Sequence, residues 1–132
     1  MSGDVAVRVA DLMSADVCSV DGRATVAEAM ALMRRHSISS LVVDRRDGDD
    51  EFGLLVVSDI AAQVIAANRA PERVHVYEVM SKPVLTLPSD MLARYATRLL
   101  VRLGLSRAIV VDQGRNLLGM ATLRDLVLAE DG

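Results

Sequence analysis

Aromatic side chains are nearly missing from these 132 residues: two Tyr, one Phe and no Trp. A platform on which successive nucleic-acid bases stack cannot be assembled from so few rings. Any nucleobase bound here is held between aliphatic side chains and read by backbone groups. Cysteine occurs once, at Cys18, which excludes an internal disulfide and suits a reducing compartment. Basic charge is not in excess, because 15 Lys and Arg meet 18 Asp and Glu for a net charge of −3. The basic residues are adjacent only as Arg34-Arg35 and Arg45-Arg46, so nucleic acid is not an expected partner. No apolar run nears the ~20 residues of a membrane helix, although 52% of the residues are hydrophobic. The start, Met1-Ser2-Gly3-Asp4-Val5, lacks a basic stretch leading into an apolar block. Neither a membrane nor a secretory signal is expected, and the expected location is cytoplasmic.

Catalytic signals are missing as well. His36 falls late in an expected helix and His75 near a joint, and no Cys/His spacing matches a metal site. Neither a Gly-x-Ser-x-Gly elbow nor a phosphate-cradling Gly-x-x-x-x-Gly-Lys loop occurs. Cys18 has no evident base and reads as a small buried thiol. The seven methionines, Met30 and Met33 at helical spacing among them, read as core. Arg34, Arg35 and His36 read as a solvated helix end, where positive charge suits the dipole. No catalytic residue, metal or catalytic cofactor is expected, and the chain is read as a non-enzyme.

What the chain does have is repetition. Val9-Ala10-Asp11-Leu12-Met13-Ser14 returns 67 residues on as Val76-Tyr77-Glu78-Val79-Met80-Ser81. Ile38-Ser39-Ser40-Leu41-Val42-Val43-Asp44 is answered by Leu105-Ser106-Arg107-Ala108-Ile109-Val110-Val111-Asp112. Gly53 to Ile60 is answered by Gly119 to Leu126. A repeat fixes architecture before any other reading. Two β-rich halves of about 60 residues are each marginal alone, so they are expected to stack and share a core.

Each copy reads as β-α-β-β-α. In the first, a strand begins in Val17–Val20, and Thr25-Val26-Ala27-Glu28 fits a capping box opening a helix to about His36. Strands follow at Ser40–Val43 and Phe52–Val57, either side of a polar loop from Asp44 to Glu51, and Ser58 caps a helix to about Asn68. Pro71 marks the joint, followed by a helical turn over Val74–Met80. The second copy runs strand (Val84–Leu87), helix (Ser89–Leu103), strand (Ala108–Val111), turn (Gln113–Asn116), strand (Leu117–Thr122) and helix (Arg124–Ala129). The fold class is α/β, mixed α+β, with helices laid on one face of each sheet. The expected divisions are a lead-in over 1–8, a first unit over 9–69 and a second over 70–132.

One motif points to a ligand: Gly119-x-x-Thr122-x-x-Asp125. Thr and Asp are common helix caps, and that reading stands. The other reading is an anion seat, in which a hydroxyl at a helix start holds phosphate and Asp accepts both hydroxyls of a ribose. The first copy keeps Asp59 but has Val56 in place of Thr122, with Ser58 beside it, so the two seats are expected to be unequal.

The duplicated unit, its Met-Ser lead-in, the Val-Val-Asp strand and the Gly-x-x-Thr-x-x-Asp close together resemble the CBS domain, over about residues 9–130. The resemblance implies a tandem pair, often called a Bateman module: two pseudo-symmetric units packed through their sheets, with two clefts. It also implies homodimers, adenosine-containing ligands such as AMP, ADP, ATP or S-adenosylmethionine, and a sensing role toward another protein. Carried over residue by residue, one cleft sets Thr122, Arg124 and Asp125 against Met13, Ser14, Val17, Ile38, Ser39 and Ser40. There Asp125 binds ribose, Thr122 and Arg124 face phosphate, and the aliphatic residues hold adenine. The other sets Ser58 and Asp59 against Ser81, Val84, Leu105, Ser106 and Arg107, with Arg107 binding phosphate or filling the pocket itself. Three departures stand out: Val56 replaces the usual Ser/Thr, the stretch Ser37–Asp44 is one residue shorter than Gly104–Asp112, and neither Val-Val-Asp strand carries a preceding proline. The expected function is a stand-alone regulatory module that binds an adenine nucleotide, pairs with a second copy and signals to an effector protein. The alternative is a ligand-free dimerisation scaffold with vestigial clefts.

Overall fold

The structure, a computed structural model, describes residues 6–129. Most of the expected lead-in, including the stretch read for a signal, and the last three residues lie outside the described residues. The described chain opens on one helical turn, α1 (Val9–Leu12). The first repeat then supplies β1 (Ser19–Val20), α2 (Val26–His36), β2 (Ser40–Val43), β3 (Gly53–Val56) and α3 (Val57–Ile60). Thr25 caps α2, its Oγ1 accepting the Glu28 N–H at 3.1 Å, which leaves one fewer amide without a partner. The helix closes on Ser37 in the left-handed region (φ 54°), with its N–H bonded back to Arg34 and Met33 carbonyls. Arg34, Arg35 and His36 occupy its last turn, as expected of charge complementing the dipole.

In this first sheet β1 runs parallel to β2, and β2 pairs antiparallel with β3, opposing Ser40 to Val56 and Val43 to Gly53. The second repeat builds the same order: β4 (Thr86–Pro88), α4 (Ala93–Leu103), β5 (Arg107–Val111), β6 (Leu117–Thr122) and α5 (Leu123–Leu128). Here β4 is parallel to β5, and β5 antiparallel to β6 with Arg107 opposite Thr122. Pro88 sits in β4 because that strand is a sheet edge, where a missing N–H breaks no ladder bond. Both sheets are mixed, which is the α+β class expected.

The lead-ins settle where the repeats do not. Contacts divide the chain into one unit of the residues up to Val17 with those from Leu85 onward, and another from Cys18 to Val84. Each lead-in thus belongs with the body of the other repeat. Val9 and Ala10 donate to the carbonyls of Met91 and Ser89; Val76 and Tyr77 donate to those of Ala24 and Gly22. Asp11 and Glu78 accept the Arg8 and His75 amides at 2.9 and 2.8 Å, closing the first turn of each lead-in. Each unit closes a core of its own. Val26, Leu41, Leu55 and Val64 are sealed in one, with Val76 from the second lead-in. In the other Val9 joins Leu87, Leu100 and Leu126, all with no exposed surface. Fully burying one such side chain stabilises a fold by about 1.5–3 kcal/mol.

Four expectations need correction. Ser58 does not cap α3, because Val56 holds that position without a side-chain bond and Ser58 lies inside the first turn. The helix after it ends as α-helix at Ile60 and widens into a π turn over Ala61–Ile65, and Asn68 is left-handed (φ 60°). The helix placed from Ser89 starts at Ala93, because Ala10 and Val111 engage the Ser89 backbone and hold residues 89–92 in a turn. The strand placed over Val84–Leu87 is Thr86–Pro88, paired with Ile109 to Val111.

Candidate functional site

Two strand-to-helix junctions, one per unit, present the hydroxyl and carboxylate groups that the sequence singles out. In the unit of the second repeat, β6 delivers Thr122 in extended conformation to the start of α5. Its Oγ1 accepts the Asp125 N–H at 3.1 Å, so the hydroxyl caps the helix. Arg107 is the direct cross-strand partner of Thr122, and directly opposed residues project from the same face of a sheet. The Ser106 carbonyl accepts the Leu123 N–H at 2.7 Å, which pins β5 to the junction. Arg124 and Asp125 are exposed on the first turn of α5, while Leu126 is sealed beneath them. Among the described residues neither Arg107, Arg124 nor Asp125 forms an ion pair. With α5 only six residues long, the two guanidiniums carry the positive charge that the sequence reading gave to a helix N-terminus.

The lead-in reaches the same junction. Ser14 exchanges both backbone hydrogen bonds with Met120, at 2.8 and 2.9 Å. It crosses directly above Gly119, where an added Cβ would stand 2.4 Å from the Ser14 carbonyl oxygen and 3.0 Å from the Met13 sulfur. Met13, Ser14, Val17, Leu105, Ser106, Arg107, Thr122, Arg124 and Asp125 therefore share one unit. The sequence reading had given Leu105, Ser106 and Arg107 to a different seat from Thr122. Cross-strand pairing is a tertiary fact that sequence spacing does not encode.

The other unit holds the counterpart. Val57 donates to the Ser39 carbonyl at 3.0 Å, Ser81 exchanges two bonds with Leu54 at 2.9 Å each, and Gly53 lies under Met80 and Ser81. Here Val56 stands where Thr122 does, Ser40 where Arg107 does and Ser58 where Arg124 does; only Asp59 is kept. Ile38, Ser39, Ser40, Ser58, Asp59, Ser81 and Val84 fall in this unit. Its junction has a carboxylate and small hydroxyls in place of the two arginines. Beside it, a mainly apolar groove of about 290 Å³ runs between α2 and α3, walled by Met30, Met33, Ile38, Ile60 and Ile65, with Arg34 on its lining.

Sequence reasoning passed over one charged network. Asp50, from the loop read as plainly exposed, has a side chain only 8% exposed. It accepts from Lys82 Nζ at 2.7 and 2.8 Å and from the Arg46 amide and Nε at 2.9 and 3.2 Å. The Lys82 ammonium, then the amide and guanidinium of Arg46, hold its carboxyl well below the usual carboxylate range. The signal available was a lysine following the repeated Met-Ser, where the first copy has Ala15. Cys18 is free and half-buried, and no group of three or more His, Cys, Asp and Glu among the described residues is placed to hold a metal. No helix among them is long and apolar enough to cross a membrane.

Comparison with known proteins agrees with the duplicated architecture. An uncharacterised protein of Methanopyrus kandleri is 30% identical over 94% of this chain, which spans 63% of that protein's length. The CBS domain-containing protein YhcV of Bacillus subtilis is 31% identical, the match covering 91% of this chain and 83% of YhcV. A hexameric CBS-CP12 protein from bloom-forming cyanobacteria superposes with a TM-score of 0.87 at 31% identity, over 98% of this chain and 75% of that one. The CBS domain of a bacterial CNNM/CorC family Mg2+ transporter, solved with ATP, shares the fold at 24% identity and a TM-score of 0.78, over 92% and 84% of the chains. A CBS domain pair solved with 5′-methylthioadenosine and S-adenosyl-L-methionine does so at 22% identity and 0.79, over 96% and 97%. A family model described as CBS domain matches residues 9–65 and again 76–132. The chain belongs to the CBS domain family, as a tandem pair of its units.

Proposed function

We propose that this chain is a regulatory module that binds one adenine nucleotide at the Thr122 junction and signals the binding to an effector protein. The observation that carries the reading is the meeting of Arg107, Thr122, Arg124 and Asp125 at one strand end. Two guanidiniums and a hydroxyl suit phosphate oxygens, because charge-assisted bonds to phosphate are the strong ones. Asp125 is a pure acceptor able to take both hydroxyls of a ribose. The ATP-bound and S-adenosylmethionine-bound pairs lend support as proteins of the same fold. Between those ligand types the two arginines favour AMP, ADP or ATP over the cationic sulfonium. The Val56 junction lacks both cations, so one nucleotide per chain is the proposed stoichiometry.

Exposed apolar side chains on the helices, Tyr95, Val101 and Leu128 on one unit and Val57 and Ile65 on the other, are the proposed contact with a second copy in a homodimer. The mechanism is a population shift, to which a ligand contributes only its difference in affinity between two arrangements. The proposed setting is cytoplasmic, without membrane or nucleic-acid contact, and the module is regulatory rather than catalytic.

Calorimetric titration with AMP, ADP, ATP and S-adenosylmethionine is the test. Asp125→Ala is expected to weaken the bound nucleotide by about 1–3 kcal/mol, the scale of a lost hydrogen bond to a charged group. Unchanged affinity removes Asp125 from the site. A scaffold role has its own support, since the Thr122 hydroxyl already caps α5 and Val56 offers none. Absence of heat with all four ligands decides for the scaffold.

A further inference from the structure

A cavity of about 580 Å³ opens in the unit of the first repeat, well away in sequence from Thr122 and Asp125. It lies past the carboxyl ends of the parallel pair β1 and β2, at Gly22 and Asp44. That is the end of an open α/β sheet where ligands generally settle, and the volume is within the usual ligand range. We propose that this cavity is a second binding site, for a small planar monoanion: an aromatic ring bearing one carboxylate or sulfonate.

The ring wall is Tyr77 with Met80 and Val43. Tyr77 is 54% exposed, yet its ring is held: it stacks on His75 with centroids 5.2 Å apart and planes 15° from parallel. A fixed aromatic beside a thioether suits a flat ring, through offset stacking and sulfur contact. The anion wall is Arg46 and Lys82. Asp50 tethers both but engages only the Nε of the Arg46 guanidinium, leaving its terminal N–H groups for a ligand. Cations fixed before binding lose little freedom on binding. Asp21 and Arg23, also on the lining, pair with each other at 3.1 Å, and Asp44 beside them sets the limit of one negative group, because further charge would be repelled.

The repeat itself shows that the Tyr77 and Lys82 side chains are not needed to dock a lead-in. Ala10 N–H bonds to Ser89 as Tyr77 N–H bonds to Gly22, so the two lead-ins dock alike. Yet the first lead-in has Ala10 for Tyr77 and Ala15 for Lys82. Docking requires neither the ring nor the ammonium; the ammonium ties down Asp50, and both groups face the cavity.

The probe is naphthalene-1-sulfonate, a planar aromatic monoanion, titrated into the 15N-labelled full chain and followed by amide shifts and fluorescence. The expected result is one saturable site per chain, with shifts at Gly22, Asp44, Tyr77 and Met80. Tyr77→Ala should weaken it about threefold to tenfold, the worth of one aromatic pair. Arg46→Gln should weaken it in the same direction, in a chain shown by its amide spectrum to be folded. Shifts confined to Thr122–Asp125 or to the α2–α3 groove would overturn the proposal, as would the absence of saturation. So would unchanged affinity in both variants.

Discussion

At the scale of single residues, the repeated Met-Ser and the repeated Gly are two halves of one contact. Gly119 is required because the Ser14 carbonyl occupies the space of its Cβ, and Gly53 because Met80 and Ser81 do the same. Gly119→Ala is expected to push the lead-in off β6 and lower stability by about 1–3 kcal/mol, the cost of overpacking. Gly48→Ala, where nothing stands within 4 Å, should leave the urea midpoint unmoved. Equal effects of the two would refute the contact as the cause. The recurrence of these residues was legible in the sequence; that they touch was not, because 105 or so intervening residues separate Ser14 from Gly119 and spacing alone does not close that loop. Thr122 is the same kind of case. Its position before α5 and its place in a Gly-x-x-Thr-x-x-Asp motif were readable, while its cross-strand partner Arg107 was not.

At the scale of elements, α2 and α4 show how the two copies diverge. Both end on a left-handed residue, Gly104 in α4 (φ 68°) but Ser37 in α2 (φ 54°). A non-glycine residue pays roughly 1–2 kcal/mol there, and glycine returns about 0.5–1 of that as lost chain entropy. Ser37→Gly should therefore stabilise the chain by about 0.5 kcal/mol, seen as a rise in thermal midpoint; a fall would mean that the Ser37 side chain has a contact of its own. The loop between β2 and β3 is held by the Asp50 carboxylate. Its pKa is lower folded than unfolded, so its stabilisation is whole above the ordinary carboxylate value of 3.8 and is lost as pH falls toward the folded value. Asp50→Asn should accordingly lower the urea midpoint at pH 7, and its gap from the native chain should narrow as acid is added. A gap that is the same at all pH values would deny the charge a role. Helix and strand identities followed from periodicity, but α4 begins four residues later than its pattern allowed. The backbone bonds that hold Ser89 come from Ala10 and Val111, both remote in sequence.

At the scale of the whole molecule, the exchange of lead-ins is the main structural outcome. Val9 is sealed in the core of the second repeat, beside Leu87 and Leu100. Val9→Ala should cost about 2 kcal/mol of buried surface. Its effect on amide hydrogen exchange should fall on β4, β5 and β6 rather than on β1, β2 and β3. Faster exchange confined to the first sheet would show that the lead-in serves its own repeat after all. The exchange also makes each repeat incomplete by itself: either body lacks the turn that covers the edge of its third strand.

The sequence alone determined the duplication, the mixed α+β order of each copy, the family resemblance and the inequality of the two junctions. All of these rest on residue types at fixed short spacings, which local propensity and patterning read directly. The tertiary structure alone decided which lead-in closes which core, that Arg107 stands beside Thr122, and that Asp50 gathers Lys82 and Arg46 around a cavity. Each of these is a pairing across a long stretch of chain. Its free energy comes from burial and hydrogen bonds made only when the chain is folded, and it leaves no mark on the neighbouring residues of the sequence.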